Sequence, residues 1–297
     1  MPKPEKLKTL PPAWERIHRR SAGQLLMAEA KTLGLMQAAL RREVTQVVAQ
    51  LALLPSDNQS FLRRRAIMAI RHATPMLGQS VETAIRQGRQ HGRDAAHNQL
   101  LAELNLVRVE LEHLGIPQED HPDDPNATAQ SDDPKHDEDD MAAHAAATSF
   151  AASWGTRALA KVLAWSDDPS GSLAAKIHKT IPEVDSRVRL IATTETSRAF
   201  SDEHDEGVGY VAEQHASSPW APALFRVWNA INDRRTCAIC EGHDGEIVLA
   251  GMQFDGGDEP GDVHPSCRCT PSLVFLPLRF DQTKPGHYTG LDDDEAA

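Results

Sequence analysis

All four cysteines of this 297-residue chain fall within 33 residues. They read Cys237-x2-Cys240, then a 23-residue interval, then His264-Pro265-Ser266-Cys267-Arg268-Cys269. A CxxC turn answered by an HxxC turn lets two short loops each offer two ligands to one tetrahedral ion. Thiolate with imidazole is the ligand chemistry of zinc. Cys237, Cys240, His264 and Cys267 form the preferred set. Exchanging His264 for Cys269 gives a four-thiolate alternative, and reduced cysteines without metal form a third arrangement. Four protein ligands would leave no open position for water, so the expected role is structural: to fasten a loop-rich region with little core of its own.

Two domains are expected from the length. The chain has no run of about 18 apolar residues, which excludes a membrane-spanning helix. Met1-Pro2-Lys3-Pro4-Glu5-Lys6 leads into Leu10-Pro11-Pro12 without an apolar stretch, unlike a secretory signal. The expected compartment is therefore a reducing cytoplasm, where a metal site is favoured over disulfides. The net charge of −12 divides unevenly: residues 1–115 carry +7, residues 116–142 carry −9 and the remainder −10. A basic front and an acidic middle make an asymmetric molecule. The basic front is either a solvated helical face or a surface for DNA or an acidic protein.

Residues 1–115 read as helix. Leu33, Met36, Leu40, Val44, Val47, Leu51 and Leu54 recur at spacings of three and four. Pro55-Ser56-Asp57 ends that helix, and Phe61, Ile67 and Ile70 open the next. Pro75 is expected to bend or break it, and Gly88 and Gly92 to interrupt a rigid rod. Leu100 to Leu114 restore the stripe until Gly115-Ile116-Pro117, which completes a helical arm or small bundle. Residues 116–142 are acidic and proline-bearing, with too little apolar surface to offset ordering entropy, so a disordered linker is expected. Its r.m.s. reach would be roughly 25–30 Å. Residues 143–280 form the second domain, with helices near 141–166 and 173–179 and a longer one from Ile181. Short strands follow at Leu224–Trp228, Glu246–Leu249 and Leu273–Phe275, bracketing the cysteines. Residues 281–297 are an acidic tail. The fold class is α+β.

One catalytic pattern needs weighing. Zinc nucleobase deaminases use H-x-E followed by P-C-x-x-C. Here His204-Asp205-Glu206 precedes Cys237-x2-Cys240, but Thr236 replaces the proline and His264, Cys267 and Cys269 go unexplained. Arg235 and Arg268 flank the cysteines, either to favour thiolates or to pair with Asp233 and Asp244. Glu195 and Arg198 are an i,i+3 helical pair, or else one of them is a buried contact to the cysteine region.

In order, the C-terminal half carries Arg189-Leu190-Ile191-Ala192-Thr193-Thr194-Glu195-Thr196-Ser197-Arg198, then Trp228-x4-Asp233-x-Arg235-Thr236-Cys237-x2-Cys240, Asp244-Gly245 and His264-Pro265-x-Cys267-Arg268-Cys269. This resembles the C-terminal domain of the phage Mu F-like minor head proteins, the head morphogenesis family of tailed phages and prophages. The resemblance covers residues 145–275. It implies a structural protein without catalysis in this domain, present in few copies in the phage head. The implied partners are the portal protein and capsid or scaffold components, with phage DNA as a further candidate, synthesis in the bacterial cytoplasm and no membrane. It also implies that Cys237, Cys240, His264, Cys267 and Cys269 form a shared core supported by Trp228 and Asp233. Outside the resemblance, the rival readings are the deaminase-like zinc enzyme and a DNA-binding protein that uses the basic N-terminal arm.

Overall fold

The structure is a computed structural model that describes residues 10–54, 58–117, 122, 135–169 and 171–276. Its elements, in chain order, are α1 (Pro12–Ala52), α2 (Gln59–His113), α3 (Lys135–Asp167), α4 (Leu173–His178), α5 (Thr180–Gln214), β1 (Leu224–Asn229), α6 (Ala238–His243), β2 (Ile247–Leu249) and β3 (Thr270–Phe275). The expected α+β class holds: long helices with one small sheet beside the Cys/His cluster. None of the described helices is long and apolar enough to cross a membrane.

The chain divides into two compact units that do not follow the expected order of segments. One unit comprises residues 27–90 and 132–196; the other comprises 1–26, 91–131 and 197–297. One break, at 131/132, falls inside the linker expected at 116–142; the others, at 26/27, 90/91 and 196/197, fall within α1, α2 and α5. The reason is packing: the apolar stripes of α1 and α2 are buried together with those of α3, α4 and α5, so none of these helices forms a core alone.

In the first, all-helical unit, Met36, Leu40 and Val44 of α1, Ile70, Leu77 and Ile85 of α2 and Phe150, Trp154 and Val162 of α3 are fully or almost fully buried. Small residues set the closest approaches. A Cβ on Gly88 would stand 2.3 Å from Thr32 Oγ1, and one on Gly155 would stand 2.7 Å from Thr74 Oγ1. Gly88 is thus a packing residue and not an interruption. Pro75 does not break α2, which runs unbroken for 55 residues. Its missing N–H falls on the exposed side, while Ile70, Ala73 and Leu77 hold the opposite face in the core. Burial of that face offsets the roughly 3 kcal/mol cost of an interior proline. A buried ion pair joins α2 to α5 here: Arg89 donates through Nε and Nη2 to Glu195 Oε2, at 2.9 and 2.5 Å.

The acidic stretch expected to stay disordered through residue 142 is already helical from Lys135. The alanine-rich run of α3 propagates upstream, and Asp140 and His144 are held by Arg86 and Glu82 at 3.2 and 2.9 Å. Most of the rest of that stretch, residues 118–121 and 123–134, lies outside the described residues, as does the expected tail at 281–297.

In the other unit, β1 is the central strand of an antiparallel sheet ordered β2-β1-β3. All six of its residues are buried. Phe225 and Val227 join a core with Leu100, Leu104 and Val107 of α2 and Val208 and Val211 of α5. The alternate residues, Arg226 and Trp228, point to the opposite face, as the two-residue period of a strand requires. There the Arg226 guanidinium lies 4.8 Å from the Phe254 ring centre, and Trp228 meets the same ring edge-on at 5.2 Å. That second face supports the cysteine cluster.

Candidate metal centre

Two arms of chain bring the cluster together. Cys237 is the N-cap of α6, in extended conformation (φ −93°, ψ 165°), and its sulfur accepts the N–H of Cys240 at 3.5 Å. An N-cap sulfur accepting from a residue three positions on is why two residues between the cysteines suffice. The loop before Cys237 is fixed by Asp233, whose carboxylate accepts the Arg235 N–H at 2.8 Å and both terminal nitrogens of Arg268 at 2.8 and 2.6 Å. The Arg268 guanidinium holds the Asp233 carboxyl well below its ordinary range, against a smaller opposing effect of burial. The two arginines flanking the cysteines thus pair with Asp233, the closer contact being that of Arg268. Asp244 accepts the Ala230 N–H at 2.8 Å and the Asn232 side chain at 3.0 Å, which closes the far end of α6 on β1. His243 stacks on Trp228 at 4.4 Å and meets Glu246 at 2.7 Å.

The second arm turns through His264-Pro265-Ser266-Cys267. The Cys267 N–H donates to the His264 carbonyl at 3.0 Å, and Ser266 takes a left-handed φ of 64°. Upstream, the loop is held to α5. Arg198 Nε donates to Asp262 at 2.9 Å, and Gly261, at φ 85°, lies so close to α5 that a Cβ would meet Ser201 Oγ at 2.5 Å and the Ser197 carbonyl at 3.0 Å. Glycine is required there for both its φ and its bulk. The expected Glu195 and Arg198 pair is thereby redirected: Glu195 is bound by Arg89 and Arg198 by Asp262.

Every residue singled out as a ligand arrives at one place. Cys237, Cys240 and His264 form one group whose ligand atoms lie within 4.8 Å of one another, and Cys240, Cys267 and Cys269 form a second. Cys240 is common to both. His264 Nε2 is 3.2 Å from the Cys237 sulfur and 3.0 Å from that of Cys240; the Cys237–Cys240 and Cys240–Cys267 sulfurs are 3.6 and 3.9 Å apart. His264 Nδ1 is 2.9 Å from the Pro265 carbonyl, which only accepts, so Nδ1 carries the proton and Nε2 offers its lone pair to the cluster. All four cysteines are free of disulfides. The arrangement can hold a metal ion.

The electrostatics are those of a mixed thiol–thiolate cluster. A hydrogen bond from Cys269, with the N–H groups of Cys269 and Gly261, draws Cys267 down to about 6 against the effect of burial. The Cys240 N–H likewise lowers Cys237. Burial pushes Cys240 up to about 12, and its hydrogen bond to Cys267 followed by burial raises Cys269. Burial acts to lower His264, but the Pro265 carbonyl and the neighbouring thiolates outweigh it and the net shift is upward. Among the described residues the buried indole N–H of Trp228 has no acceptor at hydrogen-bond geometry, yet it acts on the Cys269 sulfur in the direction that favours thiolate. A dication among these sulfurs would stabilise all the thiolates together and give that N–H an acceptor.

His204 does not join the cluster. It is fully buried, with Nε2 2.7 Å from Glu103, and it belongs to neither ligand group among the described residues. Sequence reading missed this pair and its neighbours. Arg226 contacts Asp205 and Glu259, each at 2.6 Å, and Gln99 joins Glu103 to the Pro271 carbonyl at 2.7 and 2.8 Å. The partners are scattered through the sequence and no local spacing marks them. Comparison with protein-family models, with curated proteins and with solved structures gives no match.

Proposed function

We propose that the chain is a structural minor head protein of a tailed phage or prophage, similar to the Mu F-like head morphogenesis proteins, with a zinc-stapled cysteine region. The observation that carries this reading is the convergence of the resemblance's residues. Cys237, Cys240, His264, Cys267 and Cys269 gather in one cluster, with Trp228 beneath it and Asp233 clasped by Arg268. A tetrahedral zinc with Zn–S of about 2.3 Å has sulfur–sulfur edges of about 3.8 Å, close to the 3.6 and 3.9 Å separations found. Four ligands drawn from the five close the coordination shell, which favours a structural over a hydrolytic ion. In this reading the protein acts in head assembly near the portal, in contact with portal and capsid components.

Two measurements test it separately. Mass-spectrometric metal analysis of the full chain, purified without chelator, should find about one zinc per chain, lost in the Cys237→Ser/Cys267→Ser variant; a metal-free, fully folded wild type ends the zinc reading. The assembly role is tested in the phage that encodes the chain. The protein should sediment with purified heads, and disrupting its gene should abolish DNA-filled infectious particles while leaving other structural proteins expressed. Normal yields of infectious particles would refute that role.

A further inference from the structure

Between Asp57 and Glu82, 24 residues of the chain contain no acidic side chain and no lysine, but four arginines and a histidine. In α2 these resolve into a stripe. Arg64, Arg65, Met68, Arg71, His72 and Met76 recur at spacings of three and four, and every one is exposed. Met68 is 63% and Met76 43% accessible. The opposite face of the same turns, Leu62, Ala66, Ile70, Ala73 and Leu77, is in the core, so the stripe is fixed outward by packing. From Arg64 to Met76 it runs about 18 Å along the helix. Pro75 lies on it and leaves the Arg71 carbonyl without its usual i+4 donor, which adds an acceptor to the same face.

Several other surface cations of this unit are matched, although among the described residues exposed Lys31, Arg41, Arg157 and Lys179 are not. Arg86 meets Glu82 at 2.7 Å and Asp140 at 3.2 Å, Lys161 meets Glu183 at 2.7 Å and Arg189 meets Asp185 at 3.5 Å. Among the described residues the side chains of Arg64, Arg71 and His72 have no partner, and Arg65 only lies over the Phe61 ring at 5.4 Å. Arginine and methionine in surplus, with lysine and carboxylates missing, is the composition of a protein-binding patch. A nucleic-acid backbone would reward the guanidinium groups but gain nothing from two exposed thioethers, and the stripe holds no tryptophan, tyrosine or phenylalanine on which bases could stack.

We infer that this face of α2 docks an acidic amphipathic helix of a partner protein, with apolar side chains seated between Met68 and Met76 and carboxylates paired to Arg64, Arg65 and Arg71. The stripe is in the all-helical unit, so the inference stands apart from the metal reading.

The test uses the full chain and a labelled helical peptide of about 20 residues with a leucine stripe flanked by glutamates. The peptide should bind saturably. Its affinity should fall at least about tenfold in Arg64→Glu/Arg71→Glu and several-fold in Met68→Ala/Met76→Ala. Circular dichroism should show all variants as folded as the wild type, since every substituted side chain is exposed. A companion titration uses a duplex DNA of about 20 base pairs. Absence of peptide binding, peptide binding unchanged by either double substitution, or DNA binding tighter than peptide binding and indifferent to the methionines would each overturn the inference.

Discussion

Glu103 and His204 show how a single buried pair governs response to pH. Burial alone would lower the His204 pKa, but Glu103, with Asp205 beside it, raises it to about 9. Both side chains are inaccessible, at 0% and 1%, so the charge interaction is unscreened. The folded value lies above the unfolded one near 6.5, so the stabilisation is fully present below about pH 6.5 and is lost as pH rises through about 9. The expected loss is on the order of 3 kcal/mol. Urea unfolding between pH 6.5 and 9.5 should show this decline in the wild type and not in His204→Gln; equal slopes would refute it. Arg89 and Glu195 are a second such pair. Arg89→Ala should cost about 3–5 kcal/mol by leaving a buried carboxylate unpaired, whereas Arg89→Met/Glu195→Leu should be close to neutral. A double substitution as damaging as the single one would disprove that account. These residues also mark what was legible. The five metal-ligand candidates could be read because short turns place their donors close in sequence. Arg89 and Glu195 are separated by 106 positions and His204 and Glu103 by 101, and nothing local to either partner names the other.

Among the elements, legibility followed periodicity. The stripes of α1 and α2 were visible because their period is imposed by burial of one face, and β1 was visible as a short apolar, aromatic run. The last strand is expected only from Leu273, yet β3 begins three residues earlier: Thr270, Pro271 and Ser272 pair with Asn229, Trp228 and Val227. β3 is an edge strand of the sheet, where a missing N–H is tolerated. Pro75 misled for a related reason, since local propensity counts the lost hydrogen bond and not the core on the far side of the helix. Helix-to-helix fit is equally invisible locally, and it makes a prediction at Gly155. In solvent, alanine would favour α3 by about 1 kcal/mol. Here its Cβ would strike Thr74 Oγ1, which cannot turn away without releasing the Ile70 carbonyl it bonds at 2.8 Å. Gly155→Ala should therefore destabilise by about 1–3 kcal/mol. In a Thr74→Ala background the nearest remaining contact is an ordinary 3.6 Å, and the same substitution should become neutral or stabilising. A double-mutant cycle by urea denaturation reads the change of sign; strict additivity would disprove the contact.

At the scale of the whole chain, the two compact units differ in what holds them. The unit of residues 27–90 and 132–196 owns a large continuous apolar core built from five helices. The other gathers smaller cores, one of which consists largely of the cysteines with Trp228, Ala230 and Phe254. This division was not legible beforehand, because each unit is assembled from separated stretches and both α1 and α2 contribute residues to each. On the proposed zinc reading, the consequence is an asymmetric dependence on metal. With zinc bound to the folded form alone, its removal should lower the stability of the sheet-bearing unit and leave the helical core intact. Hydrogen exchange on the full chain, with and without chelator, resolves the two. Amides of Leu224–Asn229 and Thr270–Phe275 should exchange at least about tenfold faster without metal, while those around Leu77, Phe150 and Trp154 should keep their protection. Equal acceleration in both units would mean that they unfold as one cooperative body. No acceleration in either would mean that the cysteine cluster, whatever it binds, is not what holds the sheet.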